Sequence, residues 1–496
     1  MNNLYQELKA QNSKIADIKY ALSVLSWDQE TYMPPKGKQF RAQQIATLSE
    51  LAHNKFTAKE YNDLLYKIDT KNLSETEKRN VELLKIDIEK LKKIPSSFIV
   101  ELSNAISNAY HAWMTAKKEN NFKLFEKELG QIIDLQRKKA DIVGYEQHPY
   151  DALMDDYEPN AKVADIDILF ADVRQKLQPL LNKIMAAQQV DDSFMYGHFD
   201  KDKQWNFGIE ILKKMGYDMD AGRQDISAHP FTTTFSPQDV RVTTRIDESN
   251  FYDMLWSCIH EGGHALYEQG LPAEEYGLPC GEAVSLGVHE SQSRFYENNI
   301  GRSYSFWKAN YQDLQKVFPD AFAKVSLDEF YKAINIVKPS LIRTDADELT
   351  YHFHIMIRYE LEKQLIEGTL KVKDAKEAWN AKYKEYLNID VPNDSKGILQ
   401  DIHWSHGSFG YFPTYSLGSF YTAQFDAKIH TELANYQNDI ENNNLSNVLN
   451  WLRKNVHQYG RFYYSNDLCK KATGEKLNFS YFMQYAENKY GKIYGV

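Results

Sequence analysis

Five residues carry the sharpest chemistry in this 496-residue sequence: His260-Glu261-Gly262-Gly263-His264. On a helix, residues four apart share a face, so both imidazoles can turn towards one cation. Glu261 projects beside that pair without having to bind. From there a carboxylate can take a proton from water as the water attacks a carbonyl. The competing reading is a chance spacing in which both histidines fill space. Gly262 and Gly263 each cost about 1 kcal/mol against alanine inside a helix, so a packing or access reason for them is expected.

The elements that must hold these groups can be read on either side. Asn250–Glu268 has the pattern of a helix, with Ser249 or Asn250 as its cap and Gly270 and Pro272 as its stop. A second helical run, Glu282–Asn299, sets Val284, Val288 and Ser291 on one side and ends at Gly301. It carries His289-Glu290-Ser291-Gln292. The turn-rich connection from Gly270 to Gly281 is long enough to return this helix against the first. Two histidines and Glu290 would leave one position of a tetrahedral zinc site open, which is the catalytic arrangement. His289 is the rival ligand, but adjacent helical residues point about 100° apart, so the two do not both bind.

Just ahead lies the one segment of different character. In Asp239–Ile246, Val240, Val242 and Ile246 alternate with Arg241, Thr243 and Arg245, a period of two that predicts a strand. Phe231–Phe235 can pair with it across Ser236-Pro237-Gln238-Asp239. A free edge of such a sheet could hold an extended peptide through backbone hydrogen bonds.

Elsewhere the chain reads as helices. Ile18, Leu22 and Leu25 share a face in a run ended by Pro34-Pro35. Ser74-Glu75-Thr76-Glu77 is a capping box ahead of Val81, Leu84, Ile88 and Leu91, and Pro95 closes that helix. The pattern resumes over Phe122–Val143 and Val163–Ala187. Asn438–Asn444 reads as a long polar loop. Low glycine (23) and proline (14) content favours helix throughout, and the mainly α reading follows. There is neither a flexible linker nor an internal repeat. One catalytic domain over residues 1–496, with two lobes lining one cleft, is expected.

A net charge of −10 argues against nucleic acid as a partner, since phosphate binding needs clustered Lys and Arg. No stretch reaches the ~20 apolar residues of a membrane span. Three cysteines, Cys258, Cys280 and Cys469, make no disulfide framework. With no signal-peptide pattern at the start, a cytoplasmic location is expected.

An ordered series of segments runs through nearly the whole chain. It comprises Leu25–Thr31 with Pro34-Pro35, His229-Pro230-Phe231, Asp239–Thr243, His260–His264, His289–Gln292, Ile342–Glu348 and Gly397–Trp404. This series resembles the thermostable carboxypeptidase Taq family of zinc metallocarboxypeptidases. The resemblance implies a helical, two-lobed clam around a deep groove, related in architecture to neurolysin and angiotensin-converting enzyme. It implies release of single C-terminal residues from peptides with broad side-chain tolerance. It also implies a homodimer, and one zinc ion per chain, with cobalt as a substitute.

A carboxypeptidase must recognise a terminal carboxylate, for which the guanidinium fork is apt. Arg343 and Arg241 are the candidates. Arg343 matches the family segment assigned to that task and stands in a helical run where Asp347 could orient it, although an internal Arg–Asp pair would look the same. Arg241 fits a brace for the sheet and cleft floor. For the oxyanion, Tyr411 is the first choice and Tyr415 the second, although 33 tyrosines make packing an equal claim for either. His229, His403 and His406 are further candidates for binding the substrate carbonyl or carboxylate. Two other functions stay open: a zinc endo-oligopeptidase, and a non-catalytic helical protein that retains a metal. The intact Glu261 speaks against the second.

Overall fold

A computed structural model describes residues 3–496. Helices dominate, as the composition predicts, and one three-stranded sheet interrupts them. The chain forms two compact units. The first takes in the chain up to Glu89, Asp191–Ile334 and Tyr421–Leu477; the second takes in Lys90–Val190, Asn335–Phe420 and Asn478–Val496. Among the described residues no helix is long and apolar enough to cross a membrane. The three cysteines are buried and unpaired.

In the first unit, the opening helix Asn3–Thr31 buries Tyr5, Leu8, Asn12, Ile15 and Ala16. Ile18, Leu22 and Leu25 are half-buried on its shoulder. Its core partners include Leu64, Leu65, Val81, Leu84 and Ile88. The predicted capping box closes as expected. The Ser74 N–H donates to Glu77 at 2.8 Å, and the Glu77 N–H donates to Ser74 Oγ at 3.3 Å. That satisfies two donors a helix start leaves orphaned. The predicted polar loop at Asn438–Asn444 is half helix instead: Tyr436–Glu441 forms a short helix because Tyr436 and Ile440 are buried and anchor it.

The sheet has the order β1-β3-β2, with β1 Gly222–Ile226, β2 Thr232–Ser236 and β3 Asp239–Thr244. β2 and β3 form the predicted antiparallel hairpin, although β3 stops at Thr244 and not at Ile246. β1 runs parallel to β3 and is unforeseen. Its Arg-Gln-Asp centre shows no apolar alternation, because polar contacts hold it. Gln224 Oε1 accepts from Cys258 Sγ at 2.9 Å, and Asp225 accepts from Arg223 and from Tyr32.

One face of β3 buries Val240 and Val242, and Thr244 on the same parity bonds Ser257 of the next helix at 2.8 Å. On the other face the Arg241 guanidinium lies over Trp27 at 4.5 Å and over Phe235 at 4.9 Å. Cation–π contact of this kind contributes about 0.5–2 kcal/mol. The Trp27 end of the opening helix is thus pinned to the sheet.

In the second unit the helix Thr350–Glu367 is buried almost all round, charged and polar residues included: His352, His354, Arg358 and Glu362. Such groups go unionised or need partners, and the partners define the cluster described below.

Candidate active site

The His260–His264 segment lies on the helix Phe251–Glu268, whose cap is Asn250, accepting from the Tyr252 N–H at 2.8 Å. The second helix starts later than its sequence pattern predicts. A tight turn at Pro279–Gly281 delays it, and Ser285 caps it, accepting from the Val288 N–H at 3.0 Å, so regular helix runs over Leu286–Arg294. The chain then continues as a π-helical turn, Phe295–Ile300.

Gly263 explains how the two helices reach each other. A Cβ there would stand 2.6 Å from Gln292 O and 2.7 Å from Ser293 Cα. Any side chain at 263 would therefore push the second helix away. A Cβ at Gly262 would meet the tips of Leu212 and Met215, which are movable. Gly263 is the close-packing device its helix cost implies, and Gly262 meets no backbone that would demand glycine.

This approach places Glu290 Oε2 3.4 Å from His264 Nε2 and 3.7 Å from His260 Nε2. One donor atom from each residue lies within 4.8 Å of the others, so the trio can hold one metal ion. The other atoms of the three side chains are already engaged. Glu290 Oε1 accepts from Arg294 Nε at 2.7 Å, His260 Nδ1 faces Glu297 at 2.8 Å, and His264 Nδ1 faces His289 Nδ1 at 2.6 Å. Two Nε2 atoms and one carboxylate oxygen are left to converge, a donor set that suits zinc. The residues fit the metal.

Charge in the cluster also calls for a cation. Burial works against a proton on His260, but Glu290 and Glu297 outweigh it and raise its pKa to about 9. Burial, then His289 and His260, lower His264 to about 3. Burial likewise opposes ionisation of Glu290 and Glu297, yet Arg294 and the histidines hold both carboxyls below the usual range. A metal ion would take the place of the His260 proton.

Glu261 is buried beside this group, and burial raises its pKa. The hydroxyl of Thr232 on β2 sits 2.6 Å from Glu261 Oε2 and 2.9 Å from its carbonyl oxygen. The sheet is thus next to the metal helix, as the sequence order predicts.

The remaining candidates separate. Arg241 chelates Asp239 of its own strand through Nε and Nη2, both at 2.9 Å. His229 is exposed, and its carbonyl accepts from Ser227 Oγ at 2.6 Å. Arg343, His403, His406, Tyr411 and Tyr415 all belong to the second unit.

Arg343 needs one correction. It stands in a single tight turn, Arg343–Asp345, not in a helix, and Asp347 does not orient it. Asp347 caps the next helix, accepting from the Leu349 and Thr350 N–H groups. The partner of Arg343 is Asp401, at 2.9 Å from Nε, and Nη1 donates to Tyr351 at 3.1 Å. Its Nη2 has no hydrogen-bond partner among the described residues. Arg358 shares the other oxygen of Asp401 at 2.7 Å.

The Arg343 guanidinium lies 5.0 Å from the Tyr415 ring. His403 Nε2 is 3.3 Å from the Tyr415 hydroxyl, and burial lowers the His403 pKa to about 4. Tyr411 packs against Tyr415 and Tyr157. His406 is exposed, its ring 5.4 Å from that of Tyr110. The loop bearing Tyr411 is tied down by Glu362, which accepts from the Gly410 N–H at 3.0 Å, Trp404 Nε1 at 2.8 Å and the Tyr150 hydroxyl at 2.6 Å.

Sequence reasoning missed Glu297, Thr232, Asp401 and Glu362. Glu297 lies seven residues beyond Glu290 and three beyond Arg294, a spacing that puts it on the same side of the helix. Asp401 falls inside the Gly397–Trp404 segment. Thr232 and Glu362 gave no comparable signal.

A mainly helical chain in which two histidines and a glutamate can hold one metal ion beside a buried carboxylate has the form of a metallopeptidase. The sequence profile of the Carboxypeptidase Taq (M32) metallopeptidase family matches residues 7–490. The chain belongs to that family. It is 42% identical over 486 residues to Carboxypeptidase 1 of Bacillus subtilis (strain 168), covering 97% of each chain. It is 38% identical to Thermostable carboxypeptidase 1 of Thermus thermophilus, covering 99% of each. The crystal structure of the M32 carboxypeptidase from Deinococcus radiodurans R1 superposes with a TM-score of 0.97 at 37% identity, covering 99% of this chain and 100% of that one.

Proposed function

We propose that the chain is a zinc carboxypeptidase that releases single C-terminal residues from peptides with broad tolerance for the side chain. The observation that carries this reading is the convergence of His260, His264 and Glu290 beside a buried Glu261 in a chain whose relatives are named carboxypeptidases. His260 and His264, through Nε2, and Glu290, through Oε2, would hold the ion. Bound there, zinc supplies Lewis acidity to water and to the scissile carbonyl.

The chain's own residues have these parts. Glu261 takes a proton from the attacking water and returns it to the leaving amine; burial makes its carboxylate a stronger base. Thr232 holds one oxygen of that carboxylate and leaves the other for water. β2 is an edge strand beside Glu261, and its backbone groups on the side away from β3 would bond an extended peptide. Arg343 receives the terminal carboxylate. Asp401 and Tyr351 fix its Nε and Nη1, and Nη2 stays available for a charge-assisted bond. Tyr411 donates to the developing oxyanion, with Tyr415 and His403 beside it.

Hydrolysis of N-blocked dipeptides with a free or an amidated C-terminus tests this. The free acid should be cleaved and the amide should not, and a chelator should abolish cleavage. Equal cleavage of both would make the enzyme an endo-oligopeptidase. Glu261→Gln should keep the metal and lose turnover. Wild-type turnover in a metal-loaded variant would remove Glu261 from the mechanism. If the metal-loaded wild type cleaves no peptide, the non-catalytic reading stands.

A further inference from the structure

His289 has no nitrogen left for a cation. Its Nδ1 lies 2.6 Å from His264 Nδ1, and its Nε2 lies 2.8 Å from Glu268 Oε1. We propose that His289 and Glu268 form a relay that fixes the tautomer and ring angle of His264 and so sets the affinity of the centre for its metal ion. The inference rests on the reading that His264 binds through Nε2, the nitrogen that faces Glu290.

The proton count then has one solution. A metal-binding Nε2 is bare, so the neutral His264 ring carries its proton on Nδ1 and donates to His289 Nδ1. His289 Nδ1 is therefore the acceptor, and its own proton sits on Nε2. That N–H points at Glu268 Oε1, which accepts it. The reverse order would place a proton on the face of His264 that meets the ion. Each bond of the chain permits only one direction once the first is set.

The two ligand histidines are thus backed differently. His260 leans directly on Glu297, which Arg294 holds at 3.2 Å and Arg302 approaches at 3.5 Å. His264 reaches its carboxylate through a second imidazole. The relay is shielded from competing water, with side-chain exposure of 18% for His289 and 12% for Glu268. Tyr267 packs its ring 5.3 Å from that of His289 and limits its tilt. A ligand histidine with a fixed partner loses less freedom on binding and is more basic, and removing such a partner costs about 10–100-fold in metal affinity.

Zinc affinity of the full chain, measured by competition with a chromophoric chelator at constant pH, tests the relay. His289→Leu removes the acceptor and should weaken zinc about 10–100-fold. His289→Asn keeps an acceptor near the Nδ1 position and should recover most of that loss. Glu268→Leu, two bonds away from the ion, should weaken zinc by about three- to tenfold, and Glu268→Gln by less. The visible spectrum of the cobalt-loaded protein should shift in His289→Leu and not in His289→Asn. Zinc affinity within about threefold of wild type in both His289→Leu and Glu268→Leu would overturn the relay. If His289→Leu fails to fold, judged by its thermal transition, Glu268→Leu decides alone. His264→Ala is the control. Undiminished zinc binding there would overturn the ligand reading itself, whereas loss of zinc there with intact affinity in the relay variants would overturn the relay alone.

Discussion

The hydroxyl of Thr232 lies 2.6 Å from Oε2 of Glu261, which joins the edge strand β2 to the carboxylate assigned as the base. One bond from a strand residue thus engages Oε2 of that carboxylate. Thr232→Val keeps the shape and β-branching and removes the donor. Its kcat should fall at least about tenfold, near 1.4 kcal/mol, with KM changed less than about threefold, because the lost interaction orients a catalytic group and does not bind substrate. Thr232→Ser should recover most of the rate. Equal losses in the Ser and Val variants would mean that Thr232 serves packing alone.

Gly263→Ala should separate the helix that bears His260 and His264 from the one that bears Glu290. Its Cβ would meet backbone atoms, Gln292 O at 2.6 Å and Ser293 Cα at 2.7 Å, and backbone cannot rotate aside. Overpacking of this kind costs about 1–3 kcal/mol, and here the strain pushes Glu290 away from the histidines. A lower melting temperature together with weaker zinc binding is expected. Gly262→Ala meets side-chain tips of Leu212 and Met215 and gains helix propensity, so it should change stability by less than about 1 kcal/mol. Calorimetry and zinc titration of both variants separate the two cases.

What the sequence made legible follows from period and spacing. His260 and His264 could be read because i, i+4 is a local geometric rule. The β2–β3 hairpin could be read because Val240 and Val242 alternate with polar residues. β1 could not, because its stability comes from Asp225 with Arg223 and Tyr32, and the Tyr32 bond spans 193 residues. Arg343 was found as a residue but not with its partner. The pairing with Asp401 crosses 58 residues, while Asp347, four residues away, is spent on a helix cap. Glu297 stands at helical spacing from Glu290 and Arg294, but its pairing with His260 joins two elements 37 residues apart, which local spacing does not show.

Asp401 stands between two buried guanidinium groups. Burial opposes its ionisation, yet Arg358 and Arg343 outweigh that and hold the carboxyl well below the usual carboxylate range. Asp401→Asn would leave both arginines without their shared anion, a loss of about 3–5 kcal/mol. The sign of the pH effect is fixed: a depressed carboxyl contributes stability above its unfolded pKa of about 3.9 and loses it as pH falls towards the folded value. The stability gap between wild type and Asp401→Asn should therefore be full at neutral pH and narrow below about pH 4. Urea unfolding at a series of pH values checks this; a gap that stays constant down to pH 2 would contradict it.

Glu362 works in the opposite sense. Burial raises its pKa to about 7, against three hydrogen bonds from Tyr150, Gly410 and Trp404 that favour the carboxylate. The folded chain therefore holds a proton at this position that the unfolded chain has released. Stability from this group is full below the unfolded pKa of about 4.3 and declines as pH rises towards 7. Glu362→Gln cannot titrate, so its stability relative to wild type should rise across that window and level off above it. The same window should touch function, since the Gly410 N–H that Glu362 anchors adjoins Tyr411. In Glu362→Leu the anchor is gone at every pH, and three buried donors lose their acceptor at about 1–3 kcal/mol each. That variant should lose kcat through a displaced Tyr411 while zinc affinity stays at the wild-type value. Melting curves of wild type and Glu362→Gln from pH 4 to 8, with zinc titration of Glu362→Leu, measure both effects. Parallel curves for the first pair would show that the Glu362 proton is not linked to folding.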